Sequence, residues 1–141
     1  MTIRHVDTAA DIVRCHPLMR QLRPGLESAE QFLGSYRRQS AQGYRLVAGW
    51  LEEVPVVLAG YRVTENLFHG QHVYVDDLVA DPAYRNRGHA AALLDFLKAE
   101  AKALGCGQLV LDTAVDNLNA QHVYQKSGMT GGGLHFFMKL V

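Results

Sequence analysis

The stretch from Val79 to Leu94, VADPAYRNRGHAAALL, decides the fold expected for this chain. It begins at the end of a segment rich in β-branched residues. A turn at Asp81-Pro82 follows, and then a loop that contains arginine and glycine. From Gly88 onward apolar residues recur at spacings of three and four, namely Ala90, Leu93, Leu94, Leu97, Ala101 and Leu104. This spacing predicts an amphipathic helix over 88–104 that begins directly after a strand and a turn.

The loop before this helix has the residues that an anion site needs. The first turn of a helix presents unpaired backbone N–H groups and the positive end of the helix dipole. Small residues at Gly88 and Ala90 would let a phosphate approach the backbone, and Arg85 and Arg87 would add charge. From the residues alone, a solvent-exposed glycine turn is an equally good interpretation. Neither GxxxxGK[ST] nor GxGxxG occurs, so the nucleotide sites built on those motifs are not predicted.

The rest of the chain alternates between strand and helix patterns and has no repeat or linker. A strand is predicted at 2–6, followed by a helix capped by Asp7 or Thr8 and broken or restarted at Pro17. A second helix is predicted from Ser28 to Gly43. The other predicted elements are a hairpin over 44–63, strands at 72–80 and 107–115, a helix from Asn117 or Asn119 to Gly128, and a final strand at 134–141. This order predicts one α/β domain over 1–141, with helices on the faces of a twisted sheet.

Composition excludes several classes of protein. Lys+Arg and Asp+Glu both number 14, so no global charge would hold nucleic acid or an anionic membrane, although Arg37 and Arg38 add to the loop arginines. No apolar run approaches the length of a membrane span, and the N-terminus does not resemble a signal peptide, which predicts a cytoplasmic protein. Cys15 and Cys106 lack CxxC spacing and the seven histidines form no HxH or HExxH set, so no metal site is predicted.

Two adjacent carboxylates, Asp76 and Asp77, interrupt the apolar strand pattern HVYVDDLVA at 72–80. Such residues are uncommon inside strands and need a reason. Strand alternation would direct the two side chains to opposite faces, whereas a bulge would change their directions. Two solvated edge residues remain the alternative to a functional pair.

Two motifs together give the chain a recognisable resemblance. Arg85, Gly88 and Ala90 fit R-x-x-G-x-A, which resembles the coenzyme A loop [Q/R]xxGx[G/A] of the GNAT family of N-acetyltransferases. The segment NLNAQHVYQKSGM at 117–129 resembles the family's N-x-x-A-x-x-x-Y-x-x-x-G-F segment, at whose defined places stand Asn117, Ala120, Tyr124 and Gly128. The chain departs from the pattern with Ala90 where Gly is frequent and Met129 where Phe is frequent. Both changes are small in volume.

The resemblance implies a mixed, mostly antiparallel twisted sheet that splays at a coenzyme A cleft, with about four flanking helices. It also implies an acetyl-CoA-dependent N-acyltransferase that transfers the acetyl group directly to a primary amine in a ternary complex. The residues it implies for the coenzyme are Leu78, Val79, Arg85, Asn86, Arg87, Gly88, His89, Ala90 and Asn117. For Asn117, capping of its own helix is an equally good interpretation.

The resemblance assigns proton transfer to Tyr124 and to one residue of the acidic pair. Tyr124 would protonate the departing thiolate, because a phenol with a reference pKa near 10 is protonated at neutral pH. A base is needed because an alkyl ammonium with a pKa of about 10.4 is neutral in only about one molecule in a few thousand at pH 7. Asp76 is the expected base and Asp77 the expected substrate contact, although these roles are open to exchange.

Three points stay open from the sequence. A non-catalytic acyl-CoA-binding sensor or interaction module would keep the loop motif, although the presence of the acidic pair and Tyr124 favours an enzyme. The acceptor could be a small molecule or a peptide amine. Several acidic residues suggest that the acceptor is a cationic polyamine or a lysine-like amine. These residues are Glu52, Glu53, Glu65 and the acidic pair. A homodimer is plausible, because apolar strands at the end of a small sheet often pair with another chain.

Overall fold

The computed structural model describes all residues from 1 to 141 and contains five strands and four helices around one sheet. In chain order the elements are β1 (Thr2–Val6), α1 (Ala9–Leu22), α2 (Ala29–Ser40), β2 (Arg45–Leu51), β3 (Val54–Asn66), β4 (Gly70–Ala80), a 3-10 turn (Pro82–Tyr84), α3 (His89–Ala103), β5 (Gln108–Leu111) and α4 (Leu118–Lys126). The strand order is β1-β2-β3-β4-β5, and only β4 and β5 are parallel. The predicted mixed, mostly antiparallel sheet is therefore confirmed.

The sheet lies between two helical layers. Alternate side chains of β2 point to opposite faces, so that Trp50 packs with α1 and α2 while Val47 packs with α3. Leu93 and Leu97, both fully buried, are the centre of the α3 face. The spacing of three and four that predicted α3 is therefore the stripe that covers the sheet.

The predicted helix starts are confirmed, and one predicted break is wrong. Thr8 and Ser28 each accept a hydrogen bond from the backbone N–H three residues on, at 3.2 and 3.1 Å. Pro17 lies inside a continuous α1. The carbonyl that it leaves without a partner belongs to Val13, and both residues are exposed, so water can bond that carbonyl. None of the four helices is long and apolar enough to cross a membrane.

β4 carries a β-bulge at Asp76. Gly60 of β3 pairs with Asp77 and Tyr61 pairs with Val75, so Asp76 is an extra residue without a partner. The pairing shift reverses the alternation on the two sides of the bulge. Val75 packs on the α3 face, as does Leu78, three residues further on.

The final strand predicted at 134–141 is not formed. Residues 129–141 have no regular secondary structure, and no backbone hydrogen bond involves residues 130–141. β5 is also shorter than predicted, since it ends at Leu111. A strand exists only beside another strand, and this chain places none next to the 130–141 segment.

Candidate active site

A pocket of about 270 Å³ lies between α1, α2 and the bulge of β4. We call it the acceptor pocket. Both carboxylates of the acidic pair line it, together with residues of α1, α2 and the start of β2; its lining is Met19, Arg23, Leu26, Phe32, Ser35, Tyr36, Gln39, Tyr44, Asp76 and Asp77. The expectation that the two aspartates face opposite sides of the sheet is wrong, because the bulge turns Asp76 to the same side as Asp77.

Asp77 is held by two partners at the bottom of the pocket. Its Oδ1 accepts from Arg23 Nε at 2.8 Å, and its Oδ2 accepts from the Tyr44 hydroxyl at 2.6 Å. Burial, followed by the charge of Asp77, raises the pKa of Tyr44 well above its usual value, so this hydroxyl stays protonated and remains a donor. Both carboxylate oxygens of Asp77 accept hydrogen bonds and its side chain is only 14% exposed, so its carboxylate is held in one orientation.

Asp76 is less constrained. Arg62 Nε donates to its Oδ2 at 3.1 Å, and Arg62 in turn bonds Gln39 of α2. The other carboxylate oxygen of Asp76, Oδ1, accepts no side-chain hydrogen bond, and the side chain is 27% exposed. Burial raises the pKa of Asp76 above its usual range, against the opposing effect of Arg62. A carboxylate with a raised pKa is a stronger base, and this one has an oxygen free to accept a proton.

Gly60 makes room for the Tyr44 hydroxyl. A Cβ added at Gly60 would lie 1.8 Å from the Tyr44 hydroxyl oxygen and 2.3 Å from Cζ, and Tyr44 is only 5% exposed. Because Gly60 also pairs with Asp77, its missing side chain brings the tyrosine onto that carboxylate. The backbone at Gly60 does not have positive φ, so space alone requires glycine here.

Gly60→Ala is therefore expected to lower the free energy of unfolding by about 1–3 kcal/mol, since the buried Tyr44 has to move. Urea denaturation measures the change. Gly34→Ala is the matched control, because its Cβ would meet only Arg38 Nη1 at an ordinary 3.6 Å in the middle of α2. Gly34→Ala is expected to raise the free energy of unfolding by about 0.5–1 kcal/mol, because alanine is favoured over glycine inside a helix. Equal stability of Gly60→Ala and the unchanged protein would contradict the close contact.

The sheet opens beside the acceptor pocket. The β4–β5 pairs end at Val75 and Leu111, whereas β4 continues to Ala80 with only β3 as its neighbour. Residues 76–80 therefore have one free edge, and Leu78 and Val79 lie on it half-buried. This is the splay that the resemblance implies. Backbone groups on a free edge need polar partners from water or a ligand.

The loop that precedes α3 has its backbone arranged around unpaired N–H groups. Asn86 and Gly88 have φ of +61° and +72°, and Gly88, the residue before the helix, has no side chain to cap it. The first backbone bond of α3 runs from Ala92 N to Gly88 O, which leaves the N–H groups at 89–91 unpaired in the chain. An anion at this end of α3 would meet both the N–H groups and the positive end of the helix dipole.

The side chains of the loop also suit an anionic ligand. Arg85 and Arg87 are exposed, and the Arg87 guanidinium lies 5.4 Å from the centre of the Tyr84 ring. His89 Nδ1 is buried without a hydrogen-bond partner. A buried polar atom without a partner is uncommon in proteins and is consistent with a missing ligand at this position. The loop therefore fits a pyrophosphate-bearing molecule.

α4 carries the other predicted residues. Asn117 Oδ1 accepts from Ala120 N at 3.1 Å, so Asn117 caps its own helix. Tyr124 is half-buried, and burial alone raises its pKa, which keeps the phenol protonated. Lys98 of α3 donates to the Ser127 carbonyl at 2.5 Å and ties the two helices together. Tyr124 does not line the acceptor pocket; it belongs to the chain that leaves β5 on the other side of the opening.

Several pocket residues were missed at the level of sequence. Arg23, Tyr44 and Arg62 belong to no motif, and only the folded chain brings them to the acidic pair over separations of 14 to 54 residues. The acidic residues expected to attract a cationic acceptor lie elsewhere: Glu52, Glu53 and Glu65 do not line the pocket, and Glu53 pairs with Arg14 at 2.5 Å. Of the five carboxylates considered for a cationic acceptor, only Asp76 and Asp77 therefore lie in this pocket. No group of three or more possible metal-ligating side chains occurs in the structure.

The structure thus combines unpaired N–H groups at the start of α3, an open edge of β4 and a pocket with two carboxylates. The resemblance to a family of N-acetyltransferases implies these features. A model of the acetyltransferase (GNAT) family matches residues 12–129. Because this match covers most of the chain, the chain belongs to the GNAT family.

Individual relatives agree with this assignment. The uncharacterized N-acetyltransferase YhdJ of Bacillus subtilis is 25% identical over 116 residues, which cover 82% of each chain. Glucosamine 6-phosphate N-acetyltransferase of Arabidopsis thaliana is 30% identical over 61 residues, which cover 43% of this chain and 39% of that one. The structure of the aminoglycoside N-acetyltransferase AAC(6')-Iy in complex with CoA has a TM-score of 0.85 at 20% identity, and the match covers 99% and 95% of the two chains. This structural match shows the same fold.

Proposed function

We propose that this chain transfers an acetyl group from acetyl-CoA to the primary amine of a small molecule bound in the acceptor pocket. The observation that carries the proposal is the bulge at Asp76, which brings two carboxylates into one pocket beside the free edge of β4. Family membership supports an acetyl-CoA-dependent enzyme. The acceptor, the direct transfer and the residue roles are our proposals.

The coenzyme would be held by the loop and the free edge. The N–H groups at 89–91, with Arg85, Arg87 and the neighbouring Asn86, Gly88 and Ala90, would bind the pyrophosphate. The edge at Leu78 and Val79 would bind the amide groups of the pantetheine arm, and Asn117 would contact that arm with its free NH₂ group. His89 Nδ1 would gain the partner that it lacks. When bound, the coenzyme supplies the activated acetyl thioester.

Asp76 would take the proton from the acceptor. Deprotonating an alkyl ammonium at pH 7 costs about 4.6 kcal/mol, and a positioned base provides the acceptor for that proton before the amine attacks. The free oxygen of Asp76 and the raised pKa of this carboxyl both suit the role. Asp77, fastened by Arg23 and Tyr44, would hold the amine in place. The neutral amine would then attack the thioester carbonyl directly: the C–N bond forms, the C–S bond breaks, and the second proton lost by the nitrogen balances the proton that Tyr124 gives to the departing thiolate.

Tyr124 would complete the transfer as the acid. Its phenol stays protonated because burial raises its pKa, and a coenzyme A thiolate has a conjugate-acid pKa of about 8.5. Asp76 and Tyr124 belong to elements on the two sides of the opening, so the proton would be accepted on one side and donated on the other. Neither cysteine is required. Both are buried, and burial raises the pKa of the Cys15 thiol to about 12.

The charges of the pocket favour an acceptor with few positive charges. Arg23 pairs with Asp77 and Arg62 pairs with Asp76, so the four formal charges cancel. A polyamine would therefore meet no net negative field, whereas an amine that also carries hydroxyl or anionic groups could bond the arginines. Glucosamine 6-phosphate, the acceptor named for one relative, is of this kind, because it carries a single amine together with hydroxyl and phosphate groups.

The test is thiol release from acetyl-CoA with a library of amines. We expect amino sugars and amino acids to react faster than polyamines of similar size. Mass spectrometry identifies the acetylated amine. Saturable binding of acetyl-CoA without turnover of any amine would instead support the alternative function, a non-catalytic acyl-CoA-binding sensor or interaction module. Turnover that grows with the number of positive charges on the amine would contradict the neutral-pocket argument.

Tyr124→Phe is expected to lower kcat by about 10²-fold while coenzyme affinity stays nearly unchanged, because only the hydroxyl is removed. This loss is at the low end of the range for removal of a general acid, because a thiolate can leave without being protonated first. Tyr61→Phe is the matched control: its hydroxyl bonds Glu100 on the α3 face, away from the pocket. Unaltered kcat of Tyr124→Phe with a slow amine, where chemistry limits the rate, would assign Tyr124 to packing.

A further inference from the structure

The acceptor pocket has two kinds of lining. Its charged groups are Arg23 and the acidic pair, whereas its apolar side chains come from α1, α2 and the loop between them. The apolar side chains are those of Met19, Leu26, Phe32 and Tyr36. The volume of about 270 Å³ is below the roughly 300–1,000 Å³ of pockets for drug-sized ligands. The pocket therefore suits a small molecule that has both charged and apolar parts.

Arg23 has donors that the chain does not use. Its Nε donates to Asp77 Oδ1 at 2.8 Å, and its Nη2 donates to the backbone carbonyl of Asp76 at 2.9 Å. Its Nη1 group makes no hydrogen bond in the chain, and the side chain is 51% exposed. Asp76 Oδ1 is in turn free to accept. An unused cationic donor and an unused anionic acceptor therefore line the same pocket.

These two unused groups match a compact zwitterion. Because Arg23 bonds the backbone of Asp76 directly, the two residues are in contact and a short ligand can reach both. An α-amino acid carries its ammonium and its carboxylate on one carbon atom. The ammonium would donate to Asp76 Oδ1 and the carboxylate would accept from Arg23 Nη1, both as charge-assisted hydrogen bonds. A zwitterion also has no net charge, as the two ion pairs of the pocket have none.

The apolar lining is held in place before any ligand binds. Leu26 and Tyr36 are half-buried, so they present apolar surface to the pocket. The Leu26 carbonyl accepts a hydrogen bond from His16 Nε2 at 2.7 Å, which fixes the loop between α1 and α2. The Tyr36 ring meets the Tyr44 ring edge-on, with 6.5 Å between their centres. An apolar side chain of the ligand would displace water from a preformed surface.

We propose that the acceptor is a free α-amino acid with a large apolar side chain, bound by its ammonium at Asp76, its carboxylate at Arg23 and its side chain against Leu26 and Tyr36. This inference rests on the proposed function and names the class of its substrate. The products are the N-acetyl amino acid and free coenzyme A. The new C–N bond replaces the C–S bond; one proton of the ammonium passes through Asp76 to water, and the second balances the proton gained by the sulfur.

Other amines lose at least one of the three contacts. 2-Phenylethylamine has the ring but no carboxylate for Arg23. Alanine has the zwitterion but no side chain long enough for the apolar lining. The N-terminus of a peptide has a neutral amide where the free amino acid has its carboxylate. Phenylalanine, alanine and 2-phenylethylamine are therefore the set of compounds that separates the contacts.

Steady-state kinetics with these three compounds tests the proposal. The value of kcat/KM for phenylalanine is expected to exceed that for alanine by about 100-fold, because each buried methylene contributes about tenfold or more. It should exceed that for 2-phenylethylamine by about tenfold or more, since a hydrogen bond to a charged group is lost. Turnover of amines without these preferences overturns the inference and leaves the proposed function standing.

Arg23→Gln tests the contact with the carboxylate. It is expected to raise KM for phenylalanine about tenfold more than KM for 2-phenylethylamine, because only phenylalanine has a carboxylate to lose its partner. A merely structural effect through Asp77 would raise both KM values equally, and that result overturns the contact. Arg20→Gln is the matched control, since Arg20 is exposed one turn earlier in α1 and does not line the pocket.

Leu26→Ala tests the apolar lining. It is expected to lower kcat/KM for phenylalanine about tenfold more than that for alanine, because alanine does not reach the lost surface. The hydrogen bond from His16 goes to the Leu26 backbone, so the variant keeps it. Leu22→Ala is the matched control: Leu22 is a half-buried leucine of the same core that does not line the pocket. Equal losses for both amino acids overturn the apolar contact.

Titration calorimetry separates a failure of this inference from a failure of the proposed function. Each of the three compounds is titrated into the protein saturated with free coenzyme A, which has no acetyl group to transfer. Tighter binding of phenylalanine than of the other two supports the inference even where no acetyl transfer is detected, and the proposed function then fails alone. Equal affinities for the three compounds, or no binding of phenylalanine, overturn the inference.

Discussion

Asp76→Asn is expected to lower turnover at neutral pH by about 10²- to 10⁴-fold, the range for loss of a general base. Asparagine keeps the shape of the side chain and can still meet Arg62, but it cannot take a proton. The acceptor then has to lose its proton to water before it attacks. Steady-state rates with the best amine of the library measure the change.

The pH dependence of the rate distinguishes this role from a structural one. Burial raises the pKa of Asp76, and its active form is the deprotonated one, so the rate of the unchanged protein should fall as the pH drops through that raised pKa. In Asp76→Asn this acidic limb should disappear. Raising the pH toward the pKa of the amine, about 10.4, should partly rescue the variant because more of the amine is then neutral.

Asp77→Asn and Asp95→Asn provide the comparisons. Asp77 is bonded on both oxygens, so its loss should raise KM more than it lowers kcat. Asp95 is an exposed carboxylate on α3, 75% exposed, and its change should leave the rate unaltered. If Asp77→Asn shows the larger loss and the rescue by high pH, the two roles have to be exchanged. If neither variant is impaired, the amine loses its proton elsewhere.

Gly88→Glu is expected to abolish acetyl-CoA binding. The added carboxylate would stand beside the unpaired N–H groups at 89–91 and repel the pyrophosphate. Acetyl-CoA at 100 times its dissociation constant should stabilise the unchanged protein by about 2.7 kcal/mol, seen as a higher Tm, and this shift should vanish in the variant.

Backbone strain has to be separated from charge in this experiment, because Gly88 has φ of +72°. Gly70→Glu is the matched control, with φ of +68° and open space around its Cβ, but at the start of β4. It should lower stability to a similar extent and keep the acetyl-CoA shift. Gly88→Asn, which tolerates positive φ without adding charge, should retain most of the binding. Normal binding by Gly88→Glu would refute the pyrophosphate site at α3.

Most of the fold could be predicted from local patterns. Thr8 and Ser28 cap helices because their side chains bond N–H groups three residues away, and such contacts do not depend on the rest of the chain. The loop between β4 and α3 was predicted for the same reason, since positive φ and unpaired N–H groups are properties of a short segment. The break predicted at Pro17 is absent because a proline is tolerated where the lost bond faces water, and that depends on where the core lies.

The sequence by itself determined most of the helices and strands, the loop before α3 and the identity of the acidic pair, because these depend on neighbours within a few residues. Only the tertiary structure decided that both aspartates enter one pocket. The bulge at Asp76 comes from pairing with Gly60 and Tyr61, and the partners Arg23, Tyr44 and Arg62 arrive from distant elements. The 130–141 segment shows the same limit: its pattern is that of a strand, but a strand needs a neighbouring edge, and this chain alone does not bring one to it.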